Sequence, residues 1–544
     1  MQQQQNDNKS LFDPKTLIAI AAVAVVYFGW QTYLNKKYPN YNKPKTEVAQ
    51  NTATTPAPGA SPTTTPVDSK SEVVAPTTTQ EQNFSFSNDK VAFTLTNHGM
   101  GLKDFTVNNY EDKEKNKIKL GVSNDYSLYA LRLAGQDKPL DFNVTEQAPG
   151  HYIGTAQVGT MTVKRDLQFD AANSSFKSTI TLTNPTEEIK KGFSILLPET
   201  IHASGSKSFL FPSYTHQDFF VGHNGGKTET VNFSGAKENL DKAFENSPLI
   251  SVGSQYFTTV ALDKSQITPE AKVTANVADK KALAEMTYKP VQTAPEMVFS
   301  QVFYAGPKSI DILKSVDPEL ASVIDLGFFG MIGRPLLYIM KAFHGLVGNW
   351  GFAIIMLTLM VRLCVLPFNL MSAKSMKAMQ KVQPEIAALR EKYKDDAMRL
   401  NQEMMAVMKQ HGANPVGGCL PMLIQIPVFF ALYRVIGSSV ELYNSPFIGW
   451  IHDLSAHDPF YVLPVLMAVF MFIQQKITPS TMDPTQAKIM LFLPLVFSVF
   501  MLQLPAGLTL YMVVSTLFGI IQQYFIMRDT SKPAPVKAKK TAKA

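Results

Sequence analysis

Arg362 stands in "LTLMVRLCVLPFNL", an apolar run from Leu357 to Leu370 that holds no other charge. A cation at the centre of a membrane helix costs roughly 2.5–3.5 kcal/mol on insertion scales, so it persists only with water or polar partners. No Asp or Glu lies deep in any apolar run of the C-terminal half, and no carboxylate is at hand to neutralise it. The chemistry open to such a residue is electrostatic: in a hydrated pocket with low-dielectric walls it attracts an acidic group passing nearby. Thr358, Gln425, Ser498, Gln503 and Ser515 are the polar side chains that such a pocket would gather. A proton relay or an ion-coupled transporter would pair cations with intramembrane acids, and that pairing is missing.

Two further clusters resemble sites but lack the spacing their chemistry needs. In "GHNGGKT" (Gly222–Thr228) three residues separate Gly222 from Gly226, where a P-loop needs four. "IHDLSAHD" supplies His452, Asp453, His457 and Asp458, but no standard zinc site has that spacing. No hydrolytic signature appears in the apolar half, so no enzyme activity, cofactor or metal is expected. Cys364 and Cys419 both lie in apolar runs and read as small hydrophobes. The stretch 35–325 has no cysteine and hence no disulfide framework.

The elements that must position Arg362 follow from patterning. Only 17% of the 544 residues are charged, the net charge is +7 and the mean hydropathy is near zero, the average of a soluble half and an apolar half. After a cytoplasmic N-tail (1–16), "LIAIAAVAVVYFGWQTYL" (17–34) has spanning length, an interfacial Tyr27/Trp30/Tyr33 belt and no A-x-A-like site, so it reads as an uncleaved anchor. A Thr/Pro-rich linker (35–82) cannot bury a core and reads as an extended tether. From 83 to 325 the texture is period-two alternation broken by Asn, Gly, Pro and Asp turns, as in "MTVKRDLQF" and "FKSTITLTN". That pattern predicts one large antiparallel β-sandwich, with its last strand ending near Ala305.

Residues 326–348 are apolar but carry Arg334, Pro335, Lys341 and His344, the pattern of an amphipathic interfacial helix. Five candidate spans follow, 350–371, 416–437, 460–477, 488–504 and 506–527, which with the anchor make six. Arg434 and Lys488 lie near span ends and can snorkel. The loop 372–412 holds eight Lys/Arg against five acids and the tail 528–544 is basic, whereas the loop 438–459 has neither Lys nor Arg. The positive-inside rule puts hairpin, tail and both termini in the cytoplasm and the β-domain outside, although Lys36 and Lys37 oppose that assignment locally.

Within 372–412, Met379, Val382, Ile386, Leu389 and Tyr393 are spaced 3-4-3-4, and Ala397, Leu400, Met404, Val407 and His411 repeat the pattern. Two such stripes predict an antiparallel coiled-coil hairpin turning at Asp395-Asp396, with Gly412 as its closing cap. Its cations, Lys374, Lys377, Lys381, Arg390, Lys392, Lys394 and Arg399, form a basic arm suited to an incoming chain or a ribosome-side partner.

This architecture, together with "NPVGGCLPMLIQIPVFFALY", "WIHDLSAHDP", "MLFLPLVFSVFMLQLPAGLTLYMVVS" and "IIQQ", resembles the YidC/Oxa/Alb family of membrane protein insertases, Gram-negative type. The resemblance implies a polytopic α-helical protein of the inner membrane, with a five-helix core and a periplasmic β-supersandwich. It further implies a hydrophilic groove open to cytoplasm and lipid, in which Arg362 matches the groove arginine and Gln425 a polar groove position. Phe429 and Phe500 match substrate-contact positions, with Tyr511 nearby; where some relatives carry two tyrosines, this chain has Tyr511-Met512. Implied partners are nascent membrane proteins, membrane lipids, the Sec translocon (SecYEG) and SecDF. The hairpin and tail would meet the ribosome, its RNA included, and the signal recognition particle receptor. From the residues alone, a transporter or channel and an anchored periplasmic sugar-binding protein remain as other readings.

Overall fold

The computed structural model describes residues 81–528, apart from 113, 203–206, 209–210, 213–215, 235, 237, 291–293, 395, 412–419, 478–497 and 500. The anchor, nearly all of the linker, the tail beyond Arg528, most of the run 488–504, and Gly412, Cys419 and Phe500 therefore lie outside the described residues.

Residues 83–307 form antiparallel sheets. The largest has nine strands, in the order Lys227–Asn232, Gln217–His223, Leu249–Ser254, Phe257–Asp263, Glu296–Pro307, Ser175–Thr183, Met161–Asp170, His151–Val158 and Asn143–Ala148. A five-stranded sheet, which includes Phe193–Thr200 and Lys281–Tyr288, packs on this one, and a four-stranded sheet begins at Asn83. The alternation seen in sequence is the alternation of burial: Ala282, Ala284, Met286 and Tyr288 point inward along one strand while their neighbours face out. Phe93, Phe105, Phe169 and Phe176 join the four-stranded and nine-stranded sheets, with ring centroids 4.8–6.4 Å apart. The P-loop-like "GHNGGKT" is a hairpin turn: His223 pairs with Lys227 across Asn224, Gly225 and Gly226, all three with positive φ. That conformation suits Asn and Gly.

One strand breaks the rule of apolar residues inside. Met161, Val163 and Leu167 face the core of the sandwich, and Arg165 occupies the same inward register, fully buried. Its Nη1 donates to the carbonyls of Gly99 at 2.7 Å and Tyr129 at 2.9 Å, and its Nε to Ser178 Oγ at 3.4 Å. The guanidinium also lies over the Phe303 ring at 5.7 Å. Burial pulls its proton affinity below the ordinary arginine value, yet far from enough to discharge it at neutral pH.

Glu199 is a second buried charge-bearing group. Its Oε2 accepts from the Gly121 amide at 3.2 Å and its Oε1 from the Thr200 amide at 3.1 Å. Burial nevertheless pushes its carboxyl from 4.5 up to about 7. In the unfolded chain the group ionises first, so its contribution is most favourable below the unfolded value and falls as pH rises toward the folded one. A shift of that size is worth on the order of 3 kcal/mol, lost between about pH 4.5 and 7 and constant above. Unfolding of the β-domain, followed by circular dichroism at about pH 5 and 7.5, is expected to show that loss. A Glu199→Gln variant should show a clearly shallower pH slope, and an equal slope in both proteins would sink the assignment.

The other face of the nine-stranded sheet is also covered. Phe220, Leu249, Val260, Leu262 and Tyr304 share one apolar cluster with Leu313 of α1 (Ile310–Val316), Leu337 and Met340 of α2 (Gly330–Val347), and Ile354 and Leu357 of α3 (Trp350–Lys392). The β-domain and the helical half thus share a continuous core. Further along lie α4 (Ala397–Gln410), α5 (Leu420–Ser438), α6 (Val462–Ile477) and α7 (Ala506–Arg528).

Among the described residues two helical stretches are long and apolar enough to cross a bilayer, Trp350–Met379 and Ala506–Phe525, and Val462–Ile477 is a shorter apolar helix. Of the six spans expected from sequence, the anchor and most of 488–504 lie outside the described residues, as do residues 416–419 of the span 416–437. The span expected at 350–371 has no break at 371: α3 runs on for 43 residues, through Pro367 and Pro384, into the first arm of the hairpin. The Asp396 side chain accepts from the Arg399 amide at 3.0 Å and starts the second arm.

Candidate functional site

Asn349 begins α3, its Oδ1 accepting from the amides of Gly351 and Phe352 at 2.9 and 3.2 Å. Gly351 is required there, because a β-carbon would lie 2.0 Å from the Phe447 ring. Arg362 stands twelve residues after Trp350, the first residue of α3, roughly 18 Å from that end at ~1.5 Å per residue. Its Nε donates to Ser515 Oγ of α7 at 2.7 Å. One turn before Ser515, the Tyr511 hydroxyl receives a hydrogen bond from Gln425 Nε2 of α5, also 2.7 Å. Three helices thus converge on one polar cluster, with a charge held by neutral groups. No ion pair involves Arg362 among the described residues, and α3 before Met379, α5 and α7 contain no acid at all.

The other expected groove residues are placed differently. Thr358, one turn before Arg362, is buried and donates its hydroxyl to Ile354 O of its own helix at 2.6 Å. It packs rather than offering a polar group to a groove. Ser498 is buried, whereas Gln503 is exposed. Phe429, one turn from Gln425 on α5, is half-buried beside Phe430 and Tyr433. Tyr511, expected as a substrate contact, is 1% exposed and belongs to the polar cluster's floor. Cys364, expected to pack as a small hydrophobe, is exposed, because the helix turns it about 200° from Arg362.

In the hairpin Val382 and Met404 are buried between the arms, and Ile386, Leu389, Tyr393, Leu400 and Val407 are half-buried. His411, expected in the same stripe, is exposed, since α4 ends at Gln410 before a further turn can carry it inward. Lys374, Lys381, Arg390, Lys392, Lys394 and Arg399 are exposed and Lys377 is half-buried. Lys392 and Arg399 lie over the Tyr393 ring at 5.2 and 5.6 Å.

The metal-like cluster of the loop is hydrogen-bonded scaffolding. Asp458 Oδ1 accepts from Trp450 Nε1 at 2.9 Å, and its Oδ2 from the Leu463 amide at the start of α6 at 2.7 Å. Asp453 accepts from the amides of Asn444 and Ser455. Among the described residues no group of three His, Cys, Asp or Glu could hold an ion.

Two features escaped the sequence reading. Lys341 Nζ of α2 lies 2.7 Å from both Asp311 Oδ2 and Glu441 Oε1, and so ties the amphipathic helix to α1 and the loop 438–459. Burial opposes that charge, but the two carboxylates outweigh it and hold the ammonium above its ordinary value. The other is Asn369 Nδ2 of α3, which donates to Gln522 Oε1 of α7 at 3.3 Å. Each residue follows its neighbour in the Arg362–Ser515 pair by seven, a spacing visible in the sequence once the two helices are known to pair.

Two family descriptions match the chain: "60Kd inner membrane protein" over residues 342–533, and "YidC periplasmic domain" over residues 83–339. A protein of Geobacter sulfurreducens is 36% identical over 428 residues, covering 74% of this chain and 80% of the relative, and is named "Membrane protein insertase YidC". The chain belongs to the YidC family. A Geotalea daltonii relative of the same name is 35% identical over 469 residues, with coverage of 82% and 87%. A crystal structure of an active YidC insertase with its first transmembrane domain resolved aligns over 82% of this chain and 93% of its own, at 18% identity and a TM-score of 0.38. In YidC terms the antiparallel sandwich is the periplasmic domain, and the helices from α3 onward fall within the inner-membrane region.

Proposed function

We propose that the chain is a non-enzymatic insertase, which moves apolar segments of newly made proteins into the inner membrane through a polar groove bounded by α3, α5 and α7. The observation that carries this reading is Arg362 hydrogen-bonded to Ser515 beside the Tyr511–Gln425 pair, a charge with only neutral partners among the described residues, in helical stretches that hold no acid before Met379 of α3 or anywhere in α5 and α7. Polar groups at that depth shorten the apolar barrier that a hydrophilic tail must cross. Arg362 draws acidic tail residues inward, while the apolar segment slides past Phe429 and Phe500 into lipid and Tyr511 stays in the polar floor. That partition gains about 25 cal/mol per Å² removed from water, so the step needs no ATP hydrolysis.

The architecture proposed around the groove has six spans, both termini in the cytoplasm and the sandwich in the periplasm. The exposed cations of the hairpin and the basic tail receive the chain from the ribosome or the signal recognition particle receptor. The sandwich meets SecDF when the protein works with the Sec translocon. Purified full-length protein in liposomes, given a short single-span substrate and no ATP, is expected to protect that substrate from protease well above protein-free liposomes. Protection no better than lipid alone, or dependent on ATP, would overturn the reading.

A further inference from the structure

Arg362 and Asn369 are seven residues apart on α3, and their partners Ser515 and Gln522 are seven apart on α7. Equal steps in the same direction mean that the helices run parallel here, and that two polar rungs lie about 10 Å apart along them. On the proposed orientation the second rung is nearer the cytoplasm. Asn369 lies roughly 28 Å from the start of α3, near the inner edge of a ~30 Å hydrocarbon core.

The second rung is poorly explained as glue. Interhelical hydrogen bonds in membranes contribute about 0.6 kcal/mol on average, and this one is long at 3.3 Å. Each amide carries two donors and a carbonyl oxygen with two lone pairs, of which this bond uses one donor and one lone pair. Both residues are half-buried, so the unused groups are not sealed into the helix contact. The rung is also uncharged, and offers neutral hydrogen bonds where the first rung offers a cation.

We infer that Asn369 and Gln522 form a receiving station for the hydrophilic flank of an incoming chain, one heptad before Arg362, which takes its backbone amides and neutral polar side chains. This inference rests on the groove reading above and adds a division of labour: the amide rung recognises polarity of any charge, and Arg362 recognises acids. Asn369 and Gln522 act as positioning residues that hold the flank until the charged rung is reached.

The test uses full-length protein in liposomes with three single-span substrates: a long neutral polar tail, a long acidic tail, and a tail of only a few residues. The double variant Asn369→Leu/Gln522→Leu is expected to slow both long-tailed substrates about fivefold, the scale of one lost hydrogen bond, and to leave the short-tailed one within about twofold. The exchanged pair Asn369→Gln/Gln522→Asn should restore the rate. Equal slowing of all three substrates, or of none, overturns the station and leaves the rung as a packing contact. Arg362→Ala, measured alongside, separates the two readings: if it too spares every tail, the groove itself is wrong, whereas acid-selective loss with an unaffected double variant rejects the station alone.

Discussion

Replacing Arg362 by alanine is expected to cut insertion of acidic-tailed substrates tenfold or more, while neutral-tailed substrates stay within about threefold. At ~4 Å and an effective dielectric near 20, a cation and a carboxylate attract by about 4 kcal/mol. A tenfold loss of rate needs only about 1.4 kcal/mol, so partial hydration of the groove still leaves the effect visible. Nothing else in these helices replaces the charge, since α3 before Met379, α5 and α7 carry no other cation deep in their apolar stretches. Arg362→Lys keeps the charge but not the Nε contact with Ser515, and activity within about threefold of the parent would mean that charge and hydration suffice.

The same residue should be costly to the fold. An ionised, half-buried side chain held by one serine hydroxyl lacks the compensation of a salt bridge. Arg362→Met, which fills similar volume, is expected to raise the thermal stability of the detergent-solubilised protein or leave it unchanged while acidic-tailed insertion falls. Rate measurements on defined substrates in proteoliposomes, paired with melting curves, check both halves. Equal insertion of acidic and neutral tails by the alanine variant would end the electrostatic account.

The second large effect is expected far from the groove. Arg165→Ala should destabilise the β-domain by about 3–5 kcal/mol, because it opens a cavity, strips the Tyr129 carbonyl of its donor and leaves the Gly99 carbonyl with the Leu131 amide alone. Those carbonyls belong to the turn after Val91–Thr96 and to the segment leading into Leu131–Leu133, so one side chain pins two connections to Met161–Asp170, the third strand from one edge of the nine-stranded sheet. Arg165→Lys should recover less than half of the loss. A single ammonium has the charge but not the planar fork that reaches two carbonyls and the Ser178 hydroxyl together. Chemical unfolding followed by near-ultraviolet circular dichroism reports this domain, and a change in the alanine variant below about 0.5 kcal/mol would show the interaction to be dispensable.

What could be read without coordinates was whatever local backbone geometry imposes. Period-two runs announced the antiparallel sandwich, and the 3-4 spacing announced the hairpin stripes, of which Val382 and Met404 are buried. Length and hydropathy marked the spans 350–371 and 506–527, where the structure has the apolar stretches Trp350–Met379 and Ala506–Phe525, and a charge in an apolar run marked Arg362. Arg165 stands in the inward-facing phase of its strand, beside Lys164 in the outward one, so its burial is written in the period-two pattern.

Tertiary structure decided the partners. Ser515 is 153 residues from Arg362, and only the relative rotation and depth of α3 and α7 bring the two within 2.7 Å. Thr358 and Ser515 look equivalent as hydroxyls in apolar runs, yet one bonds within its own helix and the other across the interface. The continuity of α3 past residue 371, the exposure of Cys364 and the Lys341 link to Asp311 and Glu441 were likewise settled by packing. The reason is the range of the forces: periodicity records which face of an element avoids water, whereas a hydrogen bond between elements depends on how those faces are turned toward each other.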